Sequence, residues 1–221
     1  MRPKLDWRAV LSAGALFLAY ACAAAVPSPA LADDSQGATP LAAASKVGIS
    51  DRRLNVQAGH RVLVRGRIQP AGSTVALQIR RRGRWVTLDR DRSDAHGRYV
   101  LRERVRRPMS VRARVRVSHG PAGVRRIGRV NVYRHALASW YGPGFYGRRL
   151  GCGGRLGWSQ LGVANKTLPC GTRVTLRHHG RVVRVPVIDR GPYVGGREYD
   201  LTAATARRLH FRGHGSILTT R

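Results

Sequence analysis

Acidic side chains are scarce in this sequence. The 221 residues include 11 Asp and Glu against 41 Lys and Arg, a formal net charge of +30. Only three of the basic residues are lysines, so arginine carries almost all of the positive charge. A field of this strength attracts nucleic acid, anionic wall polymers and acidic lipid headgroups, and charge alone does not choose among them.

Cysteine is also rare, with only Cys22, Cys152 and Cys170 present. The first lies in a predicted export signal, and the other two then form an even pair. In an oxidising compartment the pair predicts one disulfide. The alternative is a reactive thiol, but both residues lie in glycine-flanked turns without a Cys/His catalytic pattern. Two cysteines alone are too few for a structural zinc site, although His178 and His179 could in principle contribute. We expect neither a metal nor a cofactor.

The N-terminus, residues 1–32, is typical of a secretory signal peptide. An apolar run covers residues 9–26, and a small-x-small site ends at Ala32, after a basic start formed by Arg2, Lys4 and Arg8. The alternatives are a membrane anchor, for which the run is near the lower length limit, and a lipoprotein at Cys22, whose preceding residues match a lipid-attachment site poorly. We therefore predict a secreted, cell-wall protein without stable membrane insertion after cleavage.

The rest of the chain divides by composition and pattern. Residues 33–45 are small and polar and predict a flexible linker. Residues 46–134 alternate apolar residues with arginines at period two, which predicts a β-sandwich. This segment is similar to bacterial immunoglobulin-like or fibronectin-like modules. Strand-like stretches are residues 61–68, 75–79, 84–88, 110–117 and 128–132.

The predicted sandwich holds most of the charge, with 24 basic and 5 acidic residues. Its arginines fit either a solvated face or an electrostatic surface that binds anionic wall polymers. Both interpretations stay open. Specific nucleic-acid binding is not expected, because no nucleic-acid module motif is present and the chain carries an export signal.

The final segment, residues 135–221, carries more specific motifs. Strand-like stretches cover residues 173–176 and 181–188, and residues 203–209 predict a short helix capped by Thr202. Four motifs occur in order: SWYGPGFYG (139–147), ANKTLPCGT (164–172), VIDRGPYVGGR (187–197) and YDLT (199–202).

These motifs resemble the rare-lipoprotein-A family of double-psi β-barrels, which is related to expansins and family-45 endoglucanases. The resemblance implies a six-stranded barrel with an open groove for a glycan chain. It also implies a peptidoglycan substrate, with lytic transglycosylase activity in some members. The predicted fold class is therefore all-β, a sandwich followed by a barrel with one or two short helices.

Only three acidic residues follow position 134: Asp189, Glu198 and Asp200. Glycoside hydrolases normally use two carboxyl groups, whereas a lytic transglycosylase can use one to donate a proton and then take one from a sugar hydroxyl. The resemblance makes Asp189 the catalytic aspartate of the DRGP motif. Asp200 matches the position where the related endoglucanases place their general acid.

Each aspartate also has a structural interpretation. Asp189 could pair with Arg190 or Arg197, and Asp200 could cap the helix. The many arginines work against a proton donor, since nearby guanidinium groups lower a carboxyl pKa, and burial would have to outweigh them.

Asn165 stands where active members of the family usually carry histidine. An amide can hydrogen-bond a sugar but cannot shuttle a proton, so a non-catalytic, expansin-like wall-binding or wall-loosening protein is the alternative function. We expect Trp140 and Phe145 to belong to the barrel core. The candidate substrate-binding residues are Tyr141, Tyr146, Asn165, Lys166, Thr167, Arg190 and Tyr193.

Overall fold

The computed structural model describes residues 45–221, so the predicted signal peptide and all of the predicted linker except Ser45 lie outside the described residues. Residues 45–221 form thirteen strands and one helix, which confirms the all-β prediction. Across this range, no helix is long and apolar enough to span a membrane.

The first part of the described chain forms two sheets. One has the order β1-β3-β6, and the other has the order β5-β4-β7-β8 with β2 beside β8. The strands are β1 Lys46–Arg53, β2 Asn55–Gln57, β3 Arg61–Gln69, β4 Thr74–Arg81, β5 Arg84–Arg92, β6 Arg98–Arg104, β7 Met109–His119 and β8 Val124–Tyr141.

Alternation along the strands builds the core between these sheets. On β3, Val62, Val64 and Ile68 are buried whereas Arg61 and Arg65 are exposed. Apolar residues of both sheets join one buried cluster, and burial of this surface is the main force that holds the sheets together. The two-layer arrangement is that of a β-sandwich, and the likeness to immunoglobulin-like modules stays a prediction.

The second part of the chain closes into a six-stranded barrel. The end of β8 is joined by β9 Val163–Ala164, β10 Arg173–His178, β11 Arg181–Asp189, β12 Tyr199–Thr202 and β13 Gly215–Thr219. The strand order is β8-β12-β9-β11-β10-β13, and β13 returns to β8. The expected six-stranded barrel is therefore present.

One strand belongs to both parts. β8 pairs with β7 in the sandwich and with β12 and β13 in the barrel. The predicted boundary between residues 134 and 135 falls inside this 18-residue strand. A hydrogen bond of 3.0 Å from the Thr175 hydroxyl to Ser110 Oγ also joins the two parts.

The helix α1, Ala203–Leu209, has the predicted bounds. The Thr202 hydroxyl accepts a hydrogen bond of 3.2 Å from the Thr205 backbone N–H, which satisfies one of the free donors of the first turn. Thr202 is therefore the N-cap, and the alternative that Asp200 caps this helix is wrong. The helix follows β12 directly, so the cap also fixes the end of the strand that carries Asp200.

We expect Gly162→Ala to destabilise the protein by about 1–3 kcal/mol through overpacking. A Cβ atom at this buried position would lie 2.4 Å from Ile188 Cδ1. Denaturant unfolding measures the loss. Gly157→Ala is the matched control, since its Cβ would meet no atom closer than 3.8 Å, and equal stability of the two variants would contradict the prediction.

Candidate active site

The barrel brings the two predicted aspartates to the same row of the sheet. Asp189 on β11 and Asp200 on β12 both pair with Ala164 on β9, and Ser139 on β8 pairs with Asp200. Residues in register on neighbouring strands face the same side, so the Cα atoms of Asp189 and Asp200 lie about 10 Å apart across β9. Leu201 points the other way, into the barrel core.

An irregularity in the β9–β11 pairing sets the position of Asp189. Val187 pairs with Val163, and two residues later Asp189 pairs with Ala164, only one residue further along β9. Such bulges re-aim side chains and are common beside active sites.

Two backbone donors hold the Asp189 carboxylate. Its Oδ1 accepts hydrogen bonds from the Gly151 N–H at 2.6 Å and from the Arg190 N–H at 2.8 Å. The side chain is half-buried and forms no ion pair with Arg190 or Arg197, since the one ion pair among residues 45–221 joins Arg134 to Glu198. The structural interpretation of Asp189 as an arginine partner is therefore wrong, and its second oxygen accepts no hydrogen bond from the described chain.

Glu198 is engaged elsewhere. Arg134 donates to both of its carboxylate oxygens, at 2.8 and 2.6 Å. This fork-to-fork contact raises the pKa of Arg134. Of the three acidic residues after position 134, only Asp189 and Asp200 are therefore free of a basic partner.

Burial sets the state of Asp200. Desolvation raises the pKa of this half-buried carboxyl, and the negative charge of Asp189 adds to the effect. A hydrogen bond of 2.9 Å from the Ser139 hydroxyl and the positive charge of Arg197 oppose it. Burial is the largest cause and outweighs the arginine, so the protonated form is favoured relative to an exposed aspartate.

Tyr141 lies near both carboxyl groups. Burial, followed by the charges of Asp189 and Asp200, raises the pKa of its phenol. A hydrogen-bond interaction with Asp189 also contributes. The buried Tyr141 hydroxyl therefore lies close to the Asp189 carboxylate, although it falls outside the geometry of a well-formed hydrogen bond. Because a buried hydroxyl without a well-formed hydrogen bond costs free energy, a bound ligand that supplied one would be stabilised.

A disulfide between Cys152 and Cys170 confirms the predicted pairing, with a Cα–Cα distance of 5.5 Å. It ties the loop that carries Gly151 to the loop of residues 165–170. Both loops border Asp189.

Two predicted binding residues hold this second loop together. The Arg190 guanidinium donates to the carbonyls of Asn165, at 3.0 Å, and Leu168, at 2.7 Å. The Asn165 amide donates to the Glu198 carbonyl, and its oxygen accepts from the backbone of Thr167 and Leu168. Asn165 is buried. A role for either residue in substrate binding stays a prediction.

The remaining predicted binding residues lie at the surface around the site. Lys166 and Thr167 are exposed on the loop of residues 165–170, and Tyr193 is 80% exposed after the DRGP turn. Tyr146 packs against Trp158 with ring centroids 5.2 Å apart.

The expectation that Trp140 and Phe145 belong to the core is wrong. They are 39% and 47% exposed. The buried cluster of the barrel consists of alanine, valine, leucine and isoleucine side chains, with Tyr199 and Phe211 as its aromatic rings, and Trp140 and Phe145 lie outside this cluster. Phe145 instead packs edge-on against Tyr141 at 5.9 Å.

Comparison with known proteins decides the family of the barrel. A family model described as "Lytic transglycolase" matches residues 134–219. The C-terminal part of the chain is an RlpA-like double-psi β-barrel. The RlpA-like barrel carries Asp189, Asp200 and Tyr141 on one side of its strands.

Three relatives of the RlpA-like barrel have informative names. "Probable endolytic peptidoglycan transglycosylase RlpA" of Synechocystis sp. is 42% identical over 109 residues, 48% of this chain and 32% of the relative. The protein of that name in Aquifex aeolicus is 41% identical over 87 residues, 38% of each chain. "Endolytic peptidoglycan transglycosylase RlpA" of Campylobacter jejuni is 40% identical over 82 residues, 36% of this chain and 30% of the relative. The chain thus spans about a third of the length of these relatives.

Sequence reasoning missed Ser139 and Gly151. No sequence signal marks the Gly151 N–H as a donor, because it reaches Asp189 across 38 positions of the chain. Ser139 lies in the SWYGPGFYG motif but gains its role only from the pairing of β8 with β12. Among the described residues, no group of three or more His, Cys, Asp or Glu is arranged to hold a metal ion.

Proposed function

We propose that the RlpA-like barrel binds peptidoglycan glycan strands at the cell wall and cleaves them as a lytic transglycosylase. The observation that carries the proposal is the pair of carboxyl groups on either side of Ala164, one of which, Asp200, has a pKa raised by burial. The names of the relatives agree with this substrate.

The two carboxyl groups suit the two proton transfers of the reaction. Protonated Asp200 donates to the glycosidic oxygen while the bond from that oxygen to the anomeric carbon breaks, and positive charge develops on the sugar ring. A hydroxyl of the same sugar then bonds to the anomeric carbon, and its proton passes to Asp189. An anhydro ring forms, no water is consumed, and exchange with solvent returns both carboxyl groups to their first state.

Neighbouring groups support these roles. The Gly151 and Arg190 N–H groups hold Asp189 Oδ1 and leave Oδ2 for the sugar hydroxyl. The buried Tyr141 hydroxyl, close to Asp189 but outside the geometry of a well-formed hydrogen bond, hydrogen-bonds the glycan in this proposal. The exposed ring of Tyr193, which follows the DRGP turn, offers a face for sugar stacking.

Asn165 favours a second candidate, a non-catalytic wall-binding protein of expansin type. Its amide is bonded to backbone groups and cannot shuttle a proton. In this candidate the same site binds glycan without cutting it, and the arginine-rich sandwich adds affinity for anionic wall polymers.

Incubation of the mature protein with purified sacculi separates the two candidates. Sedimentation of the sacculi measures binding, and mass spectrometry of the supernatant measures released muropeptides. Release of anhydro-muropeptides supports the enzyme. Co-sedimentation without released product would contradict the enzyme and support the binder.

Ser139→Ala is expected to extend activity to higher pH. The hydrogen bond from Ser139 lowers the pKa of Asp200, so its loss raises that pKa, and the proton donor stays loaded at a pH where the wild type has lost its proton. The rate of product release as a function of pH measures the shift. Ser159→Ala, at an exposed position, is the control. If the alkaline limb of the pH–rate profile stays in place or moves to lower pH in Ser139→Ala, Asp200 is not the proton donor.

A further inference from the structure

A pocket lies where the sandwich meets the barrel, away from the Asp189 and Asp200 carboxyl groups. It has a volume of about 470 Å³ and includes Arg52, Arg129 and Arg184 in its lining. Asn131 and Thr175 add polar groups to the wall. Arg184 precedes Asp189 by five residues on β11, which places it about 17 Å away along the strand.

Strand pairing gathers further arginines around this pocket. Arg112 on β7 lies directly opposite Arg129 on β8, an arrangement of like charges that is destabilising by itself. Arg184 on β11 lies opposite Thr175 on β10. The hydrogen bond from Thr175 to Ser110 brings these two pairs together, since Arg129 also donates to Ser110 Oγ, at 2.9 Å.

The charges of the cluster act on one another. Burial is the main cause that lowers the pKa of Arg129, and the positive charges of Arg184, Arg112 and Arg221 lower it further. Burial is also the main cause that lowers the pKa of Arg184, and the positive charges of Arg173, Arg221 and Arg112 add to it.

No acidic side chain balances the cluster. Within residues 45–221, no carboxylate side chain lies within ion-pair distance of the six arginines named above, Arg52, Arg112, Arg129, Arg173, Arg184 and Arg221. The guanidinium groups of Arg112, Arg173, Arg184 and Arg221 also donate no hydrogen bond to the described chain, whereas Arg129 is held by Ser110. The fold thus gathers like charges and leaves most of their donors free.

We propose that this arginine pocket binds the phosphate group of an anionic polymer. Guanidinium forks match phosphate oxygens geometrically. A phosphate offers oxygens to donors on several sides, as arginines from β7, β8 and β11 require, whereas a carboxylate offers two oxygens in one plane. The pocket gives the protein a second point of attachment, independent of the carboxyl pair.

Calorimetric titration of the mature protein with inorganic pyrophosphate, at low ionic strength, tests the proposal. We expect saturable binding that weakens about tenfold or more in Arg112→Gln/Arg184→Gln, because charge-assisted hydrogen bonds are lost. Arg106→Gln/Arg107→Gln is the matched control. It removes the same charge from exposed positions between β6 and β7, and we expect its affinity to stay within about twofold of the wild type, as for surface charges that touch no ligand.

Thermal unfolding without pyrophosphate checks that the variants fold. Arg112→Gln/Arg184→Gln should unfold at the wild-type temperature or above, since it relieves repulsion. Equal weakening of pyrophosphate binding in both double variants would show that the general positive field of the protein causes the binding, and this would overturn the proposed phosphate site. An absence of saturable binding would overturn it too. Succinate that binds as tightly as pyrophosphate would overturn the assignment to phosphate.

Discussion

Asp189→Asn and Asp200→Asn are each expected to slow the release of anhydro-muropeptides from sacculi by about 100-fold or more, the usual contribution of a positioned acid or base. The amide keeps the shape of the side chain but cannot take up or donate the proton. In Asp189→Asn the amide oxygen can still accept from Gly151 and Arg190. The loss therefore reports the missing carboxylate rather than a collapsed loop. Product yield against time measures the rate.

Asp51→Asn is the matched control, since this carboxylate is exposed on β1 of the sandwich. Its rate should equal that of the wild type. If either active-site variant released product within about threefold of the wild-type rate, that aspartate would not be a catalytic acid or base. A decrease in rate this small falls well short of the contribution of general acid–base catalysis.

The stability of Asp200→Asn provides an internal check with a definite sign. Burial raises the folded-state pKa of Asp200 above its ordinary value of 3.8. The contribution of Asp200 to the stability of the wild type is therefore fully present below about pH 3.8 and is lost as the pH rises through the folded-state pKa. The amide does not ionise, so Asp200→Asn should be at least as stable as the wild type at pH 7, and any advantage should vanish in acid. A less stable variant at pH 7 would show that the charged form is favoured instead.

The double variant Cys152→Ser/Cys170→Ser is expected to lose about 3 kcal/mol of stability, as loop-closure entropy predicts for a bridge of this span. The two cysteines are 18 positions apart. Denaturant unfolding of the wild type and the variant measures the difference. Reduction of the wild type under the same conditions should reproduce it, whereas reductant should leave the variant unchanged.

Loss of the disulfide should also reduce product release, because it frees the Gly151 loop that donates to Asp189. The activity must be measured well below the unfolding transition, so that a lower rate reflects a displaced donor rather than unfolded protein. Unchanged stability and unchanged rate together would show that the loops are held without the bridge.

Local pattern was enough to predict much of the fold. The period-two alternation located β3, β4, β5, β7, β10 and β11, and the helix bounds were as expected. The motifs indicated the barrel. β9 and β12 have only two and four residues, too few to show a period, and exist because neighbouring strands pair with them.

The site was only partly predictable for the same reason. The DRGP and YDLT motifs indicated Asp189 and Asp200, but their approach depends on both strands pairing with Ala164. The arginine excess predicted a lowered carboxyl pKa, whereas burial of Asp200 acts more strongly in the opposite direction. Burial is a property of the closed barrel, as is the exposure of Trp140, and no local stretch of sequence encodes it.

Digestion of sacculi in water enriched in ¹⁸O, with mass spectrometry of every released muropeptide, distinguishes ring closure from hydrolysis. We expect anhydro-muropeptides that contain no ¹⁸O, because the sugar's own hydroxyl closes the ring at the Asp189 and Asp200 pair. Products that each carry one ¹⁸O atom, or bound sacculi that release nothing, would contradict this expectation.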